Sequence, residues 1–239
     1  MLKYFKWAFV SFSLALIFYI GVLCFPYFLY SHVHTNRNLH IYCDEEFPEN
    51  ISYISNEALN RIEKSEFYDR NHIYSVYITN KAWRWRLVSH VASDVGAVNF
   101  TLYPSSSFVR PSVISENRII PPGNGLADAG ERDLIYFISH EVAHGMMAIK
   151  LGLFVFHFKT EHWIKEGYAD YIGKKSFDYN ANLQQLLNGE RRLTEESGLY
   201  VRYHLFLLYL LNNEKLTISE IISGNFSQAY VLKKIIPKE

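Results

Sequence analysis

Three patterns of apolar and polar positions organise the chain. The first is residues 7–30, which carry no charge and follow Lys3 and Lys6. A helix of that length crosses a bilayer. No small-x-small cleavage site follows it, so residues 1–31 read as an uncleaved transmembrane signal anchor. The two lysines ahead of the run predict a cytoplasmic amino terminus, a bilayer contact through residues 7–30 and an extracytoplasmic remainder, hence a single-pass protein of the cell membrane. The second pattern covers residues 134–149, apolar almost throughout apart from a His-Glu-His set. It describes a helix surrounded by protein, with Gly152 placed to end it and Asp128, three residues before Glu131, placed to start it near Ala129.

The third pattern is two-residue alternation over 73–78, with further strands over 100–103 and over 113–120, before the turn Pro121-Pro122-Gly123-Asn124-Gly125. A short helix is predicted within 57–62, and helices over 181–187, 195–211, 218–222 and 227–235. Strands ahead of a buried helix and helices behind it make an α+β domain. Residues 32–44 read as a juxtamembrane linker and residues 45–239 as the domain. Lys81-Ala82-Trp83-Arg84-Trp85-Arg86 reads as a helix start that packs its tryptophans, rather than as a contact with lipid headgroups.

Composition narrows the partners. With 49% hydrophobic and 16% aromatic residues, one substantial core is feasible. Lysine and arginine number 24 against 24 acidic residues, and no basic cluster stands out, so nucleic acid is not an expected partner. Of the two cysteines, Cys24 lies inside the apolar run and Cys43 beyond it, an arrangement that gives the domain no disulfide.

The chemistry lies in His140-Glu141-Val142-Ala143-His144. At 3.6 residues per turn both imidazoles fall on one helix face, where they can converge on a metal ion with Glu141 beside them. Uncompensated, three ionisable groups in so apolar a helix would cost several kcal/mol, roughly. A third ligand could come from Trp163-Ile164-Lys165-Glu166-Gly167-Tyr168-Ala169-Asp170-Tyr171, where Thr160 can cap a helix that carries Glu166 and Asp170 on one face. Gly167 would let two helices approach closely. His157 and His162, set among Phe156, Phe158 and Trp163, read as packing or pocket wall rather than as ligands.

HEVAH followed by WxxEGxAxY resembles the gluzincin branch of the zinc metallopeptidases, which includes thermolysin-like and aminopeptidase-like enzymes and small bacterial relatives; the resemblance covers residues 128–175. It implies a zincin-like domain with a small, mostly antiparallel sheet and a helical C-terminal part. It also implies Zn²⁺ on His140, His144 and Glu166, Glu141 as general base and Asp170 orienting a ligand histidine. A Tyr or His of a later helix would stabilise the oxyanion; Tyr200 is the first choice, with Tyr203 and His204 as alternatives. A peptide or protein substrate would add as a strand along residues 97–103 or 112–120. The implied activity is peptide-bond hydrolysis on the non-cytoplasmic side, and the alternative is a catalytically inactive zincin-fold domain tethered for binding or assembly.

Overall fold

The computed structural model describes residues 2–89, 94–100, 103–122, 132–197 and 199–236. Its sheet is built from β1 (His32–Asn36), β2 (Leu39–Cys43), β3 (Tyr74–Ile78), β4 (Ala97–Asn99) and β5 (Ser106–Val109), in the order β1-β2-β3-β5-β4. β1 and β4 run antiparallel to their neighbours, whereas β2, β3 and β5 are parallel. The sheet is therefore mixed rather than mostly antiparallel. β6 (Ser112–Val113) and β7 (Arg118–Ile119) form a separate two-stranded ribbon.

Residues 32–44 are not a linker. They fold as the hairpin β1–β2, turning through Arg37 in the left-handed region (φ 52°). Leu39, Ile41 and Cys43 are fully buried on one face. The alternation is present in the sequence, but the intervening His40 and Tyr42 and the polar β1 blur it. The strand expected over 100–103 is displaced to either side, into β4 and β5. Phe100 is not in a strand, and Thr101 and Leu102 lie outside the described residues.

Ten helices are described: α1 (Leu2–Cys24), α2 (Ile51–Ile62), α3 (Ala82–Val88), α4 (Leu134–Leu151), α5 (Leu153–Phe158), α6 (His162–Gly173), α7 (Tyr179–Leu187), α8 (Val201–Asn212), α9 (Ile218–Ser223) and α10 (Gln228–Ile235). Within α1, Lys6–Cys24 is long and apolar enough to cross a membrane. α4 packs on β4 and β5 with one side, and on α2 and α6 with others; α6 packs in turn on α8. From Leu134 to Ala148 every α4 residue is buried, as its apolar run requires.

Asp133, not Asp128, caps α4, accepting a hydrogen bond from the Tyr136 amide at 2.6 Å. Asp128–Glu131 lie outside the described residues. Gly152 ends the helix with φ 78°. Thr160 closes the end of α5 by donating to the Val155 carbonyl, and Glu161 rather than Thr160 is the N-cap residue of α6.

Gly167 admits α8 rather than α4. A Cβ there would meet the Tyr203 carbonyl oxygen at 2.7 Å and its carbon at 2.9 Å, both backbone atoms that cannot swing aside. Gly167→Ala should lower the stability of the full-length chain by about 1–3 kcal/mol. Denaturant unfolding in detergent checks this, and an unchanged midpoint would contradict the close approach.

Candidate metal centre

Four residues apart on α4, His140 and His144 stand one turn apart on the face turned to α6, and α6 presents Glu166 from the other side. Nε2 of His144 lies 3.2 Å from Nε2 of His140, while Oε2 of Glu166 lies 3.3 Å from the first histidine's Nε2 and 3.5 Å from the second's. Hydrogen bonds alone do not account for this trio. If both rings donate to the carboxylate, the short N···N contact sets two donors against each other; whichever way the protons are placed, at most two of the three contacts can be bonds. A cation held among them would satisfy all three. Ligands at about 2.0–2.1 Å around a tetrahedral ion stand about 3.3–3.4 Å from one another, and the three observed separations match those edges. The donor set of two imidazoles and one carboxylate therefore fits a divalent ion with one coordination position left for another group.

The electrostatics agree. Burial favours the neutral form of Glu166, but the imidazoles of His144 and His140 reverse that and hold its carboxyl well below the usual carboxylate range. Burial likewise opposes charge on His144, and the Glu166 carboxylate more than offsets it. In Glu141 burial prevails: its pKa is raised, although both histidines and the donating Asn99 amide pull it down. A buried carboxylate with a raised pKa suits a proton acceptor working near neutral pH.

These groups face a cavity of about 420 Å³, whose lining includes His140, Glu141, His144, Glu166, Tyr200 and Arg132. Residues 94–99 form another wall. β4 is bonded on one side only, which leaves an edge beside the cluster. The Gly96 carbonyl accepts from Arg110 and the Phe100 amide donates to the Ser106 carbonyl, so 96, 98 and 100 turn toward β5. By alternation the backbone groups of Ala97 and Asn99 turn outward, and the Asn99 amide is the one that reaches Glu141. Of the two stretches considered for strand addition, 97–103 thus contains the edge beside the cavity. The 112–120 stretch is the separate ribbon and does not line it.

Tyr200 sits at the N-cap of α8, its ring stacked on His140 at 5.5 Å and beneath the Arg132 guanidinium at 5.2 Å. Burial, with Glu166 next in weight, raises its hydroxyl pKa, so it is a proton-bearing donor at neutral pH. Tyr203 packs against Tyr200 and His162 and does not line the cavity; His204 is buried against Asp170. His157 and His162 line the outer wall, and Nδ1 of His162 lies 3.8 Å from Glu166. The stretch between the two motif segments is α5, whose Phe156 ring packs edge-on to His144 at 6.3 Å.

Asp170 does not bond a ligand histidine. Its Oδ1 accepts from the Tyr136 hydroxyl at 2.7 Å and its Oδ2 from Nδ1 of His204 at 2.9 Å, with Lys174 Nζ at 3.6 Å. Among the described residues, Nδ1 of His140 and of His144 are buried without a hydrogen-bond partner. Between Asp170 and His140 stands Tyr136, whose hydroxyl bonds the carboxylate and whose ring lies 5.2 Å from the imidazole. The sequence offered i,i+4 spacing to Glu166 but nothing to announce that α8 would supply a competing histidine. Arg132 was missed altogether, since one arginine ahead of a helix cap carries no motif. Compared with models of known protein families and with curated protein sequences, the chain gives no match.

Proposed function

We propose that this chain is a membrane-anchored zinc metallopeptidase of the gluzincin type, with a zincin-like domain that hydrolyses peptide bonds on the non-cytoplasmic side. The observation that carries the reading is the trio of 3.2, 3.3 and 3.5 Å contacts among His140, His144 and Glu166, beside a glutamate and a sheet edge. When bound, a zinc ion held by these three groups polarises a carbonyl and acidifies water to a pKa of about 7. The protein's own residues do the rest. The outward backbone groups of Ala97 and the Asn99 carbonyl pair with the substrate as an added strand and hold the scissile bond over the cluster, while the Asn99 amide stays on Glu141. Glu141 accepts the proton of the attacking water and returns it to the departing amine nitrogen. Tyr200 donates to the carbonyl oxygen as negative charge grows on it, and the Arg132 guanidinium behind Tyr200 favours that charge.

Digestion of a peptide library by the full-length protein in detergent, with and without a chelator, tests the reading. Cleavage that stops on chelation and returns with zinc is the expected result. Metal binding without turnover would favour the tethered binding domain instead. Tyr200→Phe should lower kcat about 10²-fold with little change in KM. Tyr203→Phe, outside the cavity, should leave kcat near the parent value, and equal losses in both variants would remove Tyr200 from its role.

A further inference from the structure

The face beside the outer end of α1 carries a feature that the peptidase reading does not use. Tyr19 donates its hydroxyl to the Leu87 carbonyl at 2.8 Å, which ties the end of α3 to α1 five residues before Cys24. Five residues of helix are about 7 Å of axis. With Lys6–Cys24 in the hydrocarbon layer, the end of α3 therefore sits about 7 Å inside the outer end of the span, not in bulk water.

α3 is also fixed to the sheet. The Asp44 carboxylate accepts from the amides of Asn80 and Lys81 at 3.0 Å each and pairs with Arg84 at 3.2 Å. Trp85 is buried, with the Arg110 guanidinium over its ring. The opposite face presents Trp83, 56% exposed, with Arg86 and Leu87 bordering a recess against Tyr19. The turn after α1 adds Phe25, Tyr27 and Phe28, each more than half exposed, and the Phe25 ring meets Tyr103 at 5.9 Å. Aromatic rings and basic side chains gathered around one end of an apolar helix are the composition of a bilayer interface.

We propose that α3, the turn after α1 and Tyr103 lie at the boundary between headgroups and acyl chains, so that lipid is the partner of this face. The cavity wall of residues 94–99 is then bracketed by two membrane-seated points, the end of α3 and Tyr103, which holds the β4 edge at the bilayer surface. The proposal rests on α1 being a bilayer span and is independent of catalysis.

Nitroxide labels on single cysteines, Leu14→Cys, Trp83→Cys or Tyr103→Cys in full-length protein carrying Cys24→Ser and Cys43→Ala, test it. The protein is placed in vesicles of phosphatidylcholine and phosphatidylglycerol, and collisions with oxygen and with a water-soluble nickel complex are compared. The expected result is an oxygen-dominated label at 14 and labels at 83 and 103 that lose most of their nickel collisions. Labels at 83 and 103 that meet nickel as freely as a label in buffer, with 14 still in hydrocarbon, would overturn the inference and leave the anchor standing. A label at 14 in water would overturn both.

Discussion

Glu141→Gln should lower peptide hydrolysis about 10²–10⁴-fold, the range that a positioned general base contributes, while the protein keeps its fold and its metal. The side chain is not one of the three converging groups, and the amide has nearly the same shape, so the cavity wall and the Asn99 contact survive. What is lost is the basicity of the carboxylate, since the amide oxygen keeps its lone pairs but does not take a proton near neutral pH. The result separates the base from the ligands: a Glu141→Gln variant that also lost metal would mean that Glu141 coordinates, and one as fast as the parent would remove it from the chemistry.

The largest effect on stability is expected at Asp170. Its carboxylate is fully buried and satisfies Tyr136 and His204 on different helices, with the Lys174 ammonium nearby. Asp170→Ala strands those groups and should cost about 3–5 kcal/mol, a fall in Tm of roughly 6–20 °C for a chain of this size. Burial alone would raise the Asp170 pKa, but the His204 hydrogen bond and Lys174 hold it well below the usual carboxylate range. The sign follows: its contribution is complete above the unfolded value of about 3.9 and fades as the pH falls through the depressed folded value. Asp170→Asn should therefore flatten the acid limb of a stability–pH curve. Thermal unfolding of the parent and both variants from pH 7 down to about pH 1.5 checks both statements, and an Asp170→Ala Tm at neutral pH within a degree of the parent would contradict the burial argument.

What could be read from the chain beforehand follows from how local each signal is. The α4 motif and its apolar run span five turns of one helix, so periodicity alone brought His140 and His144 to one face. Glu166 was reachable because its own helix carries a second dense pattern. The sheet was harder. β4 has three residues and β6 and β7 two each, too short for alternation to declare itself, and the parallel pairing of β2, β3 and β5 depends on crossovers that no local pattern records. β1–β2 was hidden by histidines and tyrosines in a stretch that looked polar. At the site, the partners of Asp170 come from α4 and α8 at once, a juxtaposition set by packing and by the bare backbone at Gly167. Tyr200 falls on the cavity while Tyr203 and His204 do not, because Tyr200 caps α8 and the other two lie within its buried turns.

The account depends on one ion shared by His140, His144 and Glu166. Zinc K-edge absorption and elemental analysis of the full-length protein, purified without chelator, test that most directly. One zinc per chain with two imidazole nitrogens and one carboxylate oxygen in its first shell is predicted, lost on Glu166→Ala and kept on Glu141→Gln. Protein that contains no divalent metal and fails to take up zinc, or a metal whose first shell is unchanged when Glu166 is removed, would contradict it.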